Sequence, residues 1–281
     1  KSTLLNAILG QKVSIISSKP QTTRNAISGI LTREDAQFIF VDTPGIHKPH
    51  HELGRSLNKS AYSAMSDTDI ILLIVDASKP YGTGDEFLLN KIKHVNTPCF
   101  LLLNKIDLLS KEELLKLLEE WSARHHFQEI IPISAFEKKN LPRLFDVLKK
   151  YLPEGPKYFP DEMISDHGEQ FQMSELIREK VLYKTEEEVP HSIAVVIEQK
   201  EEDEEKVHIH AMIIVERMSQ KGILIGKQGA MIRDIRIASQ RELKKMLGKK
   251  VELELFVRVE KNWRNRTNKL QQFGYHEIEN L

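Results

Sequence analysis

Asp42 closes an apolar run and is followed by Thr43-Pro44-Gly45. A carboxylate there can hold a divalent cation, directly or through water, and the Gly45 N–H can approach a phosphate oxygen with no Cβ in the way. Lys1-Ser2-Thr3 offers an ammonium for phosphate charge and a hydroxyl for Mg²⁺, the closing residues of a phosphate-binding loop. Thr22 and Thr23 follow Pro20, and the Thr23 hydroxyl is the candidate to complete the metal shell beside Ser2 and Asp42. Asn104-Lys105-Ile106-Asp107 ends another apolar run. The Asp107 carboxylate can accept both N–H donors of a guanine edge, a pair that adenine lacks. The Lys105 stem can cover a ring face and Asn104 can tie loops together. Ser134-Ala135 can present a backbone N–H to guanine O6. Each motif has a plainer reading as a strand end, a Pro-Gly turn or a polar loop. Their common order is what points to a guanine nucleotide with Mg²⁺. Lys1 and Thr23 are then the candidates to meet transition-state charge, with a monovalent cation as a further candidate. The residue after Gly45 is Ile46, where many such sites place a water-orienting glutamine, so turnover is expected to be slow.

A second constellation lies downstream. Ile225-Gly226-Lys227-Gln228-Gly229 runs into a basic stretch, and Lys221 to Lys250 holds nine Lys/Arg against Asp234 and Glu242. Glycines let a backbone approach sugar-phosphate, and a helix starting at the second one offers N–H groups to a phosphate. Lys227, Arg233 and Arg236 add charge. Ile223 to Ile225, Ile232 and Ile235 would line an apolar floor for bases. The plainer reading is a structural loop with a solvated basic helix face.

The elements that must position these groups follow from pattern. Asp69–Asp76, Cys99–Asn104 and Glu129–Ser134 are near-continuous apolar runs of strand length, as in a parallel sheet buried on both faces. Helical stretches at Gly84–His94, Ser110–His125 and Leu141–Tyr151 alternate with them. This predicts a doubly wound, mostly parallel α/β domain over 1–152. Pro153-Glu154-Gly155-Pro156 opens a linker to 168. Residues 169–281 read as α-β-β-α-α-β, an α+β domain with a C-terminal tail. The chain balances 41 Lys+Arg against 41 Asp+Glu, so the local basic block says more about partners than the total does. Its single cysteine, Cys99, excludes an internal disulfide and suits a reducing compartment. No apolar run reaches membrane-spanning length. His47, His50 and His51 read as loop histidines, with metal binding the lesser reading. His208 and His210 share a strand face. Trp263, near Arg264 and Arg266, either stacks on a base or packs the tail.

Taken together the chain resembles the Era family of GTPases. The likeness rests on Pro20-Gln21-Thr22-Thr23-Arg24, the Asp42 and Asn104 motifs, Tyr158-Phe159-Pro160, Ser174 to Lys180, Gly226-Lys227-Gln228-Gly229 and Phe273-Gly274-Tyr275. The resemblance implies a P-loop GTPase domain followed by a type II KH domain, with GTP/GDP, Mg²⁺ and a potassium ion as cofactors. It implies a first strand and phosphate-loop glycines upstream of Lys1. It also implies binding near the 3′ end of small-subunit ribosomal RNA, a role in assembling the small ribosomal subunit, a monomer, and a cytoplasmic location with peripheral association at the inner face of the cell membrane. Two other readings stay open. One is an RNA-binding assembly chaperone with negligible turnover, which Ile46 favours. The other is a GTPase whose KH-like domain binds protein.

Overall fold

The computed structural model describes residues 1–46, 49 and 51–275. They form two compact units. The first comprises Lys1–Ser14, Ala26–His47 and Ser60–Ser165, the second Ile15–Asn25, Lys48–Lys59 and Asp166–Leu281, each in its described residues. These units group three segments, 15–25, 48–59 and 153–165, differently from a division into 1–152, 153–168 and 169–281.

In the first unit β3 (Ile71–Asp76), β4 (Cys99–Asn104) and β5 (Glu129–Ile133) make a parallel sheet in the order β3-β4-β5. β4 is central, and Phe100 to Leu103 are 0% exposed. Side chains alternate across a strand. Phe100 and Leu102 accordingly join α1 (Ser2–Leu9) and α5 (Leu141–Lys149) on one face, while Leu101 and Leu103 join α3 (Thr83–Ile92) and α4 (Lys111–Arg124) on the other. That two-sided burial is why the runs carry no polar alternation. Cys99 lies in the second layer, where burial pushes its thiol up to about 11 and leaves it unreactive. β1 (Ile27–Thr32) and β2 (Gln37–Asp42) pair antiparallel as a separate two-stranded sheet.

The segment read as a linker up to 168 belongs to the first unit as far as Ser165. Ile30 N–H donates to the Ile164 carbonyl at 2.8 Å, and Gly29 bridges Ser165. The Gln37 amide clamps the segment from the side. Its Oε1 accepts from Tyr158 N–H and Phe159 N–H, and its Nε2 donates to the Phe159 carbonyl and the Thr32 hydroxyl. Gln37→Ala removes all four bonds and leaves the Tyr158 and Phe159 backbone amides without this partner. We expect a loss of roughly 1–3 kcal/mol in stability, with faster hydrogen exchange at Tyr158 and Phe159. Unchanged exchange there would exclude the clamp.

α2 (Glu52–Ser66) is a helix that the sequence pattern did not assign. Leu53, Leu57 and Ala61 are buried at helical spacing, but Gly54, Asn58 and four serines dilute the periodic signal. His51 precedes it, and its Nδ1 accepts the Gly54 N–H at 3.0 Å, a capping role and not a metal one. His47 and His50 lie outside the described residues. Among the described residues no group of three or more His, Cys, Asp or Glu could hold a metal ion.

In the second unit α6 (Glu169–Lys184), β6 (Ala194–Glu202), β7 (Lys206–Val215), α7 (Met218–Ile225), α8 (Ala230–Leu247) and β8 (Lys250–Val259) follow the expected α-β-β-α-α-β order. The sheet order is β6-β7-β8, antiparallel then parallel. One sheet face packs on α6 and α8. The other is covered at one end by Trp263, by Leu270 of α9 (Thr267–Gln272), and by Phe273, Tyr275, Leu53 and Leu57. Trp263 is 0% exposed and donates its indole N–H to the Ser192 carbonyl, so it packs the tail and does not stack on a base. His208 and His210 sit further along that face, opposite Glu252 and Glu254.

Residues 15–25 join this unit through buried polar groups. The Arg24 guanidinium donates to the carbonyls of Ile193 and Pro190, and burial lowers its pKa. Arg178 donates to both carboxylate oxygens of Glu175, at 2.7 and 2.6 Å, and to the Thr22 carbonyl. Burial, the largest single influence, would lower the Arg178 pKa, but the charge and hydrogen bonds of Glu175, together with Tyr275 and Glu179, outweigh it and the net shift is upward.

Candidate nucleotide and RNA sites

The phosphate end is built by the start of α1 and the end of β2. Lys1 Nζ donates to the Thr43 carbonyl at 2.8 Å, and Ser2 Oγ donates to Asp42 Oδ2 at 2.6 Å. A second hydroxyl, Ser14 Oγ, reaches the same oxygen at 2.9 Å. Ser14 is 1% exposed and is fixed by Asn6, whose Oδ1 accepts from the Val13 and Ser14 N–H groups while its Nδ2 donates to the Ser14 carbonyl. Sequence reasoning missed Ser14 and Asn6, because neither lies in a recognisable motif. Thr3 sits in the first turn of α1, and Pro44 is buried. A Cβ at Gly45 would stand 4.0 Å from Lys1 Nζ, so the glycine backbone faces the ammonium. Desolvation lowers the Lys1 ammonium pKa, with Asp42 opposing it. A carboxylate with converging hydroxyls is a set of hard oxygen donors, which fits Mg²⁺. The predicted metal set is divided between the units: Ser2 and Asp42 are in the first, Thr23 in the second, where it is buried.

The base end is built by the C-terminal ends of the parallel strands, where open α/β sheets bind ligands. Asn104 ends β4, and its Oδ1 accepts the Ala135 N–H at 2.9 Å. Ser134 N–H donates to the Lys139 carbonyl, and Ser134 Oγ accepts the Glu137 N–H. Both N–H groups of the Ser134-Ala135 pair are thus engaged, and a guanine O6 would take the Ala135 donor only by displacing Asn104. Asp107 lies in the short 3₁₀ turn Ile106–Leu108, and its Oδ1 is buried with no hydrogen-bond partner. An orphaned carboxylate oxygen fits the N–H edge of guanine. Lys105 holds a left-handed backbone, φ 72°, and its ammonium reaches Asp76.

In the second unit α7 ends at Ile225, and Gly226 turns the chain with φ 69°. A Cβ there would sit 2.7 Å from Met231 Cβ and 2.9 Å from Met231 N, so the loop's own packing demands glycine. Lys227 and Gln228 form the exposed tip, with Gln228 at φ 53°. Gly229 at φ 74° caps α8, and Arg233 lies exposed on its first turns. The apolar floor differs from expectation. Leu224 and Ile235 are 0% exposed core residues, while Ile223 and Ile237 present their side chains to solvent.

Known proteins resemble both units. The family described as 50S ribosome-binding GTPase matches residues 1–105, and the KH domain family matches 188–264. A crystal structure of Era in complex with MgGDPNP and nucleotides 1506–1542 of 16S ribosomal RNA is 40% identical, with a TM-score of 0.94, covering 98% of this chain and 94% of that one. A variant of Aquifex aeolicus Era bound to GDP·AlF4⁻ matches with the same identity, TM-score and coverage. The chain belongs to the Era family. As in Era, a P-loop GTPase domain with a parallel sheet precedes a C-terminal KH domain. Ser14 and Asn6 are contributions to the site that only the three-dimensional structure reveals. Asp76 had a weak sequence signal, as a carboxylate ending an apolar strand in the way Asp42 does. Among the described residues, no helix is long and apolar enough to cross a membrane.

Proposed function

We propose that this chain is a slow GTP-hydrolysing switch that binds small-subunit ribosomal RNA near its 3′ end and assists assembly of the small ribosomal subunit. The observation that carries the reading is the likeness to Era bound to MgGDPNP and 16S ribosomal RNA, which runs through 98% of the chain and so through both units. Peripheral association with the inner face of the cell membrane and a potassium ion belong to the same reading through the family resemblance.

The residues divide the work. Lys1 places a positive charge against the phosphates, and Ser2, Asp42 and Thr23 are the oxygen ligands proposed for Mg²⁺. That ion, when bound, neutralises charge on the β- and γ-phosphate oxygens. Gly45 offers a backbone N–H to the γ-phosphate. Ile46 supplies no polar group to align water, so intrinsic turnover is slow. Asp107, Lys105 and Asn104 hold the base. In the KH domain, Ile225 to Gly229 take the sugar-phosphate backbone, and Arg233 adds charge.

The competing reading is an assembly chaperone with negligible turnover, favoured by Ile46. Single-turnover hydrolysis of radiolabelled GTP by the full chain, with and without single-stranded ribosomal RNA, separates the two. Measurable hydrolysis that RNA accelerates is the expected result. No hydrolysis in either condition would leave the chaperone. RNA affinity that does not fall with rising salt would instead favour a protein-binding KH domain.

A further inference from the structure

One carboxylate beside the base end has no part in the reading above. Asp76 ends β3, in register with Asn104 on β4. Its Oδ2 accepts from Lys105 Nζ at 2.7 Å. Its Oδ1 accepts from the Ser78 hydroxyl at 2.6 Å and from the Ser78 N–H at 3.2 Å. Ala77 N–H donates to the Asn104 carbonyl at 2.8 Å, so the end of β3 and the Asn104 loop are joined by backbone as well as by the ion pair. Burial alone would raise the Asp76 pKa, but the bonds from Lys105 and Ser78 bring it below the ordinary carboxylate value.

We propose that Asp76 is a positioning residue for base binding, holding the Lys105 ammonium so that the lysine stem already lies where it covers guanine. The proposal rests on the assignment of Lys105 and Asp107 to the base site. Stability alone is a poor account of the pair. The Lys105 side chain is 48% exposed and that of Asp76 23%, and ion pairs so open to solvent add little to folding. Meanwhile Lys105 sits in the left-handed region, where a residue with a Cβ is strained and glycine would cost less. The chain nonetheless carries there a long, flexible side chain with its far end tied down. A lysine stem that covers a base gives up most of its rotamer freedom. Anchored in advance by Asp76, it gives that freedom up on folding, and binding avoids the loss. Ser78 matters for the same reason: with Oδ1 held, Oδ2 points one way. Asp76 acts through Lys105, so it should affect how tightly a base is held and not which base is chosen.

The test measures binding of GDP, XDP and inorganic pyrophosphate to the full chain by titration calorimetry. Asp76→Asn keeps the shape and the Ser78 contacts while removing the charge. GDP affinity should fall about tenfold, the rotamer freedom of one long side chain. Pyrophosphate affinity and the GDP/XDP ratio should not change. In a Lys105→Ala background Asp76→Asn should add nothing, because the stem it positions is gone. Unchanged GDP affinity in Asp76→Asn, or an equal loss in the Lys105→Ala background, overturns the proposal. An equal loss of pyrophosphate affinity does so too, since it would mark a general structural defect. Asp107→Asn measured alongside separates the two levels. If it shifts base preference while Asp76→Asn does nothing, only the positioning role fails. If it leaves base preference unchanged, the base-site assignment falls and the positioning role with it.

Discussion

Asp107→Asn is expected to weaken GTP and GDP binding by on the order of 10²-fold or more and to turn preference towards xanthosine nucleotides. In the proposed base site the carboxylate would accept two N–H donors from guanine, each bond strengthened by its negative charge. An asparagine at the same place offers one acceptor and one NH₂. The NH₂ then faces the guanine amino group, donor against donor, in a buried setting where an unmet polar group costs about 1–3 kcal/mol. Xanthine carries a carbonyl where guanine has that amino group, and the asparagine NH₂ can pair with it. The fold should be untouched, because Asp107 Oδ1 is buried and makes no hydrogen bond within the protein. Thermal unfolding of the nucleotide-free variant therefore serves as the control. Unchanged GDP affinity in calorimetry would remove Asp107 from the base site.

Three parts of this site legible in sequence share one physical property: each lies at the C-terminal end of an apolar strand. Asp42 ends β2 and Asn104 ends β4, while Ser134 follows β5 directly. A buried strand announces itself as an apolar run, and the first polar residue after it must emerge at the sheet's end. Ser14 and Asn6 have no such marker. Their hydrogen bonds reach Asp42 across 28 residues and Ser14 across eight, and nothing local distinguishes them from any other polar side chain. The grouping of residues 15–25 with the second unit was hidden for the same reason. It depends on Arg24 and Arg178 finding backbone carbonyls more than 150 residues away. Secondary structure in the second unit was easier to read, because its strands alternate and α8 begins at a glycine pair. Which of its isoleucines face solvent was not. Ile235 and Ile237 are two apart on one helix and so lie on different faces, and only the packing of α6 decides that Ile235 is inside.

Replacing Lys227 and Gln228 together with aspartate should reduce affinity for single-stranded ribosomal RNA by on the order of 10²-fold at about 0.15 M salt. The substitution removes one cation and adds two anions at the tip of the loop proposed to meet the sugar-phosphate backbone. From Lys221 to Lys250 the balance of nine basic and two acidic residues becomes eight and four, so net charge there falls from +7 to +4. Folding should survive for reasons specific to this loop. Both side chains are exposed, and aspartate tolerates the left-handed backbone that Gln228 already holds at φ 53°. The two glycines stay in place, including Gly226, where a Cβ would collide with Met231. GDP binding should match the parent chain, since every residue assigned to the base lies in the first unit. The dependence on salt should also become shallower, because fewer counterions leave the RNA when one basic contact is lost. A gel-shift titration over a range of salt concentrations reads both quantities, with calorimetric GDP binding as the control. If RNA affinity and its salt dependence equal those of the parent while GDP binding is intact, the Gly226–Gly229 loop is not where this protein holds RNA.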